Sequence, residues 1–378
     1  MSCWTTATLG NAIELAYGKS LPKGDRVEGG KVPVYGSNGI TGWHSEALTE
    51  DATIIVGRKG SAGAVQFVDQ PCFPIDTTYF VRARAGFEFD TKFLYYLLLR
   101  LDLARLRTAT GVPGLTREDA YREVISFPDI EEQHRIVDLL TRAEGIVRLR
   151  REAAAKAAEL VPAIFIDMFG DPAKNPKRWP TSPLGELATL TSGGTPSKSR
   201  PDYWEGDLPW VSPKDMKRDL INDAIDHVHP KVLDETTLKL IPAGTVLIVV
   251  RGMILVHTVP VALTATPLVI NQDMKALQLK SELSSTYLLW LLKVSQPRLL
   301  ELVSTAAHGT KKLETKDLVA LKIPLPPMAL QRQFLERVQA IESILVQQAN
   351  AIEKAQATFN ALLAQAFSPP TSSALTQE

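Results

Sequence analysis

The chain has 378 residues, 45% hydrophobic and 22% charged, an ordinary soluble composition with room for two or three domains of ~100–200 residues. Its 42 basic residues balance 42 acidic ones, which excludes diffuse, charge-driven adhesion to nucleic acid but not specific binding by cations gathered on one face. No apolar run reaches the ~18–20 residues of a membrane span, the start MSCWTTATLGN lacks the features of a signal peptide, and Cys3 and Cys72 are too few for a disulfide framework, so a cytoplasmic protein with no membrane partner is expected.

Residues 1–128 read as a first domain of short β-rich runs and glycine turns. Strands are predicted at 52–56, 65–68 and 78–82, bounded by Gly57, Gly60, Gly63 and Pro71. A helix is predicted over about 90–108, with Phe93, Tyr96, Leu97, Leu101 and Leu103 as apolar positions. The loop Gly111-Val112-Pro113-Gly114, a turn at 116–119 and a strand near 123–127 follow. A long helix then covers 129–168, where Asp129 and Glu132 have the spacing of a capping box. The two acids could also begin a nuclease carboxylate cluster, but the lysine expected just after the second acid is missing. Pro162 is expected to end or kink this helix.

Residues 169–183, rich in proline and charge, read as a linker. A second domain spans 184–327, with a loop at Ser192-Gly193-Gly194-Thr195-Pro196 and a predicted strand at 245–250 leading into Arg251-Gly252. A helix near 285–303, the loop His308-Gly309-Thr310-Lys311-Lys312 and a strand at 321–325 complete it. A second long helix occupies 328–367, and 368–378 is predicted to be a disordered tail.

The chain repeats itself. Shifted by 198 positions without a gap, Gly111 falls on Gly309, Leu115 on Leu313, Gln133 on Gln331, Glu144 on Glu342 and Phe169 on Phe367. Near the domain starts, Leu9-Gly10 matches Leu184-Gly185 at a shift of 175, so the second domain carries 23 extra residues. Along the first long helix the seam Ile136, Leu140, Ala143, Val147, Arg150 alternates steps of four and three; along the second it runs Phe334, Val338, Ile341, Leu345, Gln348, Ile352, Ala355, Phe359. That 3.5-residue period predicts a coiled coil. Arg150 and Gln348 break the seam at the same place, either fixing its register at some cost in stability or marking a packing defect.

No catalytic constellation emerges. Of six histidines only His227 and His229 are close, and no acid or cysteine stands at a familiar metal spacing. Gly57-Arg58-Lys59-Gly60-Ser61-Ala62-Gly63 has neither the spacing of a phosphate-binding loop nor a helix to open. It could instead let backbone amides and two cations approach a phosphate, or be a tight hairpin with solvated charges. The recurrence of Arg251-Gly252 after the matching strand favours binding.

The ordered duplication resembles the specificity subunit of type I restriction-modification systems. The residues that carry the likeness are Phe127-Pro128-Asp129-Ile130-Glu131-Glu132-Gln133, its counterpart from Ile323 to Gln331, the link from Met168 to Pro172 with Asn175-Pro176-Lys177 and Trp179, and the 57–63 loop. The resemblance implies an α/β (α+β) fold: two target-recognition domains related as a repeat and separated by an antiparallel coiled coil. It further implies a non-catalytic subunit that binds a bipartite double-stranded DNA target and scaffolds two methyltransferase subunits and two restriction subunits. S-adenosylmethionine would then belong to the methyltransferase, ATP and Mg to the motor nuclease, and no cofactor to this chain. A helix of about 38 residues is ~57 Å long, roughly one and a half turns of B-DNA at ~34 Å each, so the helix pair is expected to act as a ruler between half-sites. The expected DNA contacts are Lys31, Arg58, Lys59, Ser61, Arg117, Lys198, Lys214, Arg251, Lys311 and Lys312. The alternative is an architectural adaptor whose two modules bind protein or carbohydrate.

Overall fold

A computed structural model describes residues 4–108, 113–280, 283–305 and 309–368; Cys3, Gly111, Val112, His308 and the tail from 369 onward lie outside the described residues. Backbone contacts divide the chain into one unit of Met1–Glu152 with Ala349–Glu378 and another of Ala153–Gln348. The division cuts both long helices near their middles.

The first unit comprises β1 (Thr5–Thr8), α1 (Leu9–Ala12), β2 (Ile13–Tyr17), β3 (Val32–Gly36), β4 (Gly39–His44), β5 (Thr53–Gly57), β6 (Val65–Val68), β7 (Phe73–Pro74), β8 (Thr78–Ala83), α2 (Thr91–Leu101), α3 (Arg117–Tyr121), β9 (Val124–Phe127) and the start of α4 (Ile130–Phe169). A four-stranded sheet has the order β2-β8-β5-β6, a smaller one β4-β3-β7, and β1 pairs with β9. Every residue of β5, TIIVG, is buried, as a β-branched central strand covered on both faces should be. α2 begins where the Asp90 carboxylate accepts from the amides of Lys92 and Phe93, and it buries Phe93, Leu94, Tyr96, Leu97 and Leu98. It is shorter than the predicted 90–108 helix. Asp102 adopts φ 49°, a left-handed conformation that stops the helix, and a separate turn at Leu103–Leu106 buries Leu103 instead.

The second unit holds the end of α4, then β10 (Thr181–Pro183), α5 (Leu184–Leu187), β11 (Ala188–Ser192), β12 (Leu208–Val211), β13 (Leu220–Ile221), β14 (Asp226–Val228), α6 (Val232–Glu235), β15 (Val246–Val249), β16 (Val261–Thr264), β17 (Val269–Ile270), β18 (Met274–Leu279), α7 (Ser285–Val294), α8 (Gln296–Glu301), β19 (Val303–Thr305), β20 (Lys311–Leu313), α9 (Thr315–Ala320), β21 (Lys322–Pro324) and the start of α10 (Met328–Ala366). Its sheets, β11-β18-β15-β16-β13 and β14-β12-β17, reproduce those of the first unit with one added edge strand, β13. The addition comes from one connection: β3 and β4 are joined by Ser37 and Asn38, whereas residues 212–225 lie between β12 and β14. The predicted 285–303 helix divides into α7 and α8 because Pro297, in the first turn of α8, has no amide to continue α7.

Shared hydrogen bonds underlie the repeat. Leu9 and Leu184 donate to the carbonyls of Glu123 and Leu321, at 2.7 and 2.9 Å. A Cβ on Gly10 would come within 2.6 Å of Tyr121, and one on Gly185 within 3.0 Å of Val319, so Leu-Gly recurs because α1 and α5 need close approach there. Gln133 and Gln331 are 1% and 2% exposed. Gln133 accepts from the Asp90 amide at 3.0 Å and donates to the carbonyls of Glu88 and Pro128 at 3.2 and 3.0 Å. Gln331 accepts from the Ser284 amide and donates to the Pro326 carbonyl, both at 2.9 Å. In each unit a buried glutamine thus ties a long helix to the residue that caps α2 or α7.

The core of the first unit includes Ile136, Leu140 and Val147 of α4 with Phe359 and Leu363 of α10; that of the second includes Val161, Phe165, Met168 and Phe169 of α4 with Phe334, Val338 and Ile341 of α10. Each unit therefore pairs the first half of one long helix with the second half of the other, an antiparallel coiled coil. The seam is not uniformly buried: Arg150, Leu345, Gln348 and Ile352 are half-buried, and the Gln348 side-chain oxygen is buried without a hydrogen-bond partner among the described residues.

Three details sharpen the expectation. α4 continues past Pro162 to Phe169, close to the expected 129–168 span, so the proline does not end it. The proline costs one bond to the exposed Ala158 carbonyl, which water can serve, while the residues beyond it fill the core. Only half of the capping box forms: Asp129 accepts from the Glu132 amide at 3.0 Å, but the Glu132 carboxylate turns to Arg135 at 3.1 Å. Residues 169–183, read as a linker, are tied to the end of α4. Lys177 donates to the carbonyls of Asp167 and Met168, and the Trp179 indole to that of Phe169 at 3.0 Å, capping the orphan carbonyls at the end of α4.

Candidate functional site

In each unit one loop follows the central strand of the larger sheet and is stitched to its surroundings by a repeated set of backbone bonds. In the first unit the amides of Arg58 and Lys59 both donate to the Thr77 carbonyl, at 2.9 and 3.1 Å, while Gly60 donates to Pro113 and Leu115 donates to Arg58. In the second unit the amides of Val250 and Arg251 both donate to the Asp273 carbonyl, at 2.8 and 3.2 Å, while Gly252 donates to Lys311 and Leu313 donates to Val250. Lys59 bridges Gly114, and Arg251 bridges Lys312. Arg251-Gly252 thus occupies the place of Lys59-Gly60. Buried Leu115 and Leu313 anchor the partner segments.

These stitches gather cations at the same end of each larger sheet. In the first unit Arg58 and Arg117 lie over the ring of Tyr17, 5.0 and 4.4 Å from its centroid, and Arg58 also donates to the Asp76 carbonyl. Tyr17 packs 5.2 Å from Tyr79, whose hydroxyl donates to the Leu115 carbonyl at 3.0 Å. Burial, then the Tyr17 hydroxyl, pushes the Tyr79 hydroxyl up to about 12, keeping it a donor. Lys59 and Ser61 are exposed on a groove bounded across by the Gly36–Thr41 turn. Guanidinium groups held on an aromatic ring and an exposed lysine suit a phosphate or another oxyanion.

In the second unit the cluster is Arg251, Lys311, Lys312 and Lys275. Lys311 donates to the Thr305 hydroxyl at 2.8 Å, and Lys312 pairs with Glu314 at 2.8 Å, which holds the Glu314 carboxyl below its ordinary value. Lys275 donates to the Ser192 hydroxyl at 2.5 Å. Strand register places Ser192 opposite Lys275 as it places Tyr17 opposite Tyr79, so the two units fill one position differently. Sequence reasoning missed Tyr17 and Lys275, whose only signal is that strand pairing.

The remaining expected contacts do not join these clusters. Lys31 is exposed at the opposite end of the β3–β4 hairpin from the turn facing Lys59. Lys198 is exposed on the β11–β12 connection. Lys214, on the connection unique to the second unit, pairs with Asp226 at 2.6 Å. His227 lies in β14 and meets Asp223 at 2.7 Å, while His229 lies beyond the strand. Among the described residues no group of three or more His, Cys, Asp or Glu could hold a metal ion, and no helix is long and apolar enough to cross a membrane.

The profile of the family described as type I restriction modification DNA specificity domain matches residues 1–156 and 176–354. The chain is 33% identical over 167 residues to the type I restriction enzyme EcoR124I/EcoR124II specificity subunit of Escherichia coli, a match covering 44% of this chain and 41% of that protein. It is 29% identical over 161 residues to the type I restriction enzyme MjaIX specificity subunit of Methanocaldococcus jannaschii, covering 41% of this chain and 36% of that one. These matches span about two fifths of the relatives' length. Among solved structures, the S subunit of the type I restriction-modification system from M. genitalium shares the fold with a TM-score of 0.54 at 20% identity, over 98% of this chain and 97% of that one. A chain from a structural study of type I R-M complex assembly and conformational transition aligns with a TM-score of 0.62 at 20% identity, over 96% and 97%.

Proposed function

Because the chain belongs to the type I restriction-modification DNA specificity family, we propose that each unit binds one segment of a bipartite duplex DNA target and that neither carries out chemistry. The observation that carries this reading is the repeated stitch, which presents Lys59 and Arg251 on equivalent backbone beside further cations. Cations on phosphates would set register and supply affinity, while neighbouring side chains read base edges.

The chain would bind no cofactor of its own. Adenine methylation, with S-adenosylmethionine, would belong to two methyltransferase subunits, and ATP- and Mg-dependent translocation and cleavage to two restriction subunits, all in the cytoplasm. Support for docking lies on α4 in the first unit, where Leu139, Ile146 and Leu149 are 47%, 51% and 57% exposed at steps of seven and three, one face of the helix. Ile146→Asp should abolish co-purification with the methyltransferase while leaving thermal unfolding unchanged.

The principal test is to express the chain with its methyltransferase and sequence the methylated genomic DNA. The expected result is methylated adenine in two short defined segments separated by an unread spacer. A single contiguous site, or methylation that persists without this chain, would refute the reading. Binding of the cognate duplex should also weaken steeply with salt; salt-independent binding would favour the adaptor alternative.

A further inference from the structure

The second unit has a groove whose composition differs from that of its counterpart in the first. One wall is the 212–225 connection, contributing Lys214, Met216, Lys217 and Arg218; the other is the turn after Arg251-Gly252, contributing Ile254 and Pro260. In the first unit the equivalent space lies between the Gly36–Thr41 turn and the 59–61 loop, and Ile40 and Ile75 are the large aliphatic residues on its walls.

The connection is held in shape by its own acids. Asp215 accepts from the Ser212 amide at 2.8 Å and from the Ile225 amide at 2.9 Å, closing the two ends of the segment. Asp219 pairs with Lys293 at 2.5 Å, Asp223 meets His227, and Asp226 takes Lys214. With the acids committed, Lys217 and Arg218 remain exposed and without an ion-pair partner among the described residues. Across the groove from them is Ile254, 42% exposed, on the turn that follows Arg251-Gly252. An exposed aliphatic side chain beside unpaired cations complements duplex DNA, whose phosphates are anionic and whose major groove displays the thymine 5-methyl group.

We propose that this groove reads the DNA segment of the second unit, with Lys217 and Arg218 on phosphates and Ile254 against a thymine methyl. The inference rests on the DNA-binding function proposed above and adds the residues: the second unit selects at one position through Ile254, facing a wall that carries three cations where the Gly36–Thr41 turn of the first unit carries none.

The test uses the full chain with its methyltransferase and a 40-base-pair duplex library of random sequence, selected by mobility shift and sequenced. Ile254→Ser should lose about tenfold in preference for thymine at one position of one segment, leaving the other segment unchanged, and Ile254→Val should retain the preference. Lys217→Ala with Arg218→Ala should enrich the same sequence as wild type but reduce the salt slope of binding by about 2. If wild type enriches two segments and the Ile254→Ser variant keeps every preference, the groove does not read bases and the inference is overturned. An Ile254→Ser variant that only binds more weakly, with unaltered preferences, overturns it as well. Failure of the wild-type complex to enrich two segments would overturn both the function and the inference built on it.

Discussion

Replacing Gln133 with alanine removes the three hydrogen bonds that fix the start of α4 to the cap of α2. At a net ~0.5–1.5 kcal/mol each, and with the Asp90 amide orphaned, the loss should be about 3 kcal/mol. Gln331 makes two such bonds, so Gln331→Ala should cost about 2 kcal/mol in the other unit. The readout is amide hydrogen exchange along each helix. Exchange in α2 and the first turns of α4 should accelerate on the order of a hundredfold in Gln133→Ala, and in α7 and the first turns of α10 somewhat less in Gln331→Ala. Gln133→Met separates hydrogen bonding from cavity formation, because it nearly preserves volume while losing every bond. If Gln133→Met exchanges like wild type, apolar packing alone fixes the helix and the proposed tie is wrong.

Other perturbations test the same structure. Gln348→Leu removes a buried acceptor that has no partner among the described residues and should stabilise by about 1 kcal/mol; a lower melting temperature would mean that the polar residue is needed for the seam. Gly63→Ala should be severely destabilising, because φ is +81° and a Cβ would lie 2.4 Å from the Ala104 backbone. Gly60→Ala, at φ +76° with open space around it, should cost only ~1–2 kcal/mol, and equal effects in denaturant titration would contradict this geometry. Partial desolvation at the helix surface, then Asp219, holds the Glu342 carboxyl above its ordinary value. Its stabilising contribution is therefore present below the usual carboxylate pKa of ~4.3 and lost as pH rises through the raised value. Glu342→Gln should melt above wild type at pH 7.5, with the gain vanishing below about pH 4; a pH-independent difference would refute the assignment.

The long helices, the repeat and most strands were legible because they rest on periodicity and on offsets that survive without coordinates. The 65–68 strand was predicted with its observed limits, and Gln133 and Gln331 stood out as a matched pair. What the sequence hid were effects of tertiary context. The helix break at Asp102 has no proline or glycine to announce it, and the continuation of α4 through Pro162 depends on core residues placed beyond the proline. The candidate site was legible only in part for a related reason. Charge marks Arg58, Lys59 and Arg251 as candidates, but only strand register brings Tyr17 beside Tyr79 and Lys275 beside Ser192. Lys31 carries the same charge as Lys59, yet the hairpin places it at the far end.

The bonds that repeat between the units are largely made by main-chain amides and carbonyls. Thr77 and Asp273 differ chemically, yet each accepts two successive amides through its carbonyl; Pro113 and Lys311 likewise each accept one. Such bonds hold the loops at equivalent positions whatever side chain the position carries. The neighbouring side chains are then free to diverge, and they do: exposed Tyr17 on buried Tyr79 in one unit stands where serine and lysine stand in the other. A two-residue turn likewise corresponds to a fourteen-residue connection. Under the proposed function, in which two units share a backbone frame but recognise different segments, this separates the two demands of recognition. Phosphate-directed cations can sit on the repeated frame, while discrimination is carried by positions the frame does not constrain. Replacing the exposed Tyr17 with serine, the residue at the matching position 192, should therefore alter base preference without disturbing the stitch, and loss of the backbone bridges in such a variant would show that frame and surface are not independent.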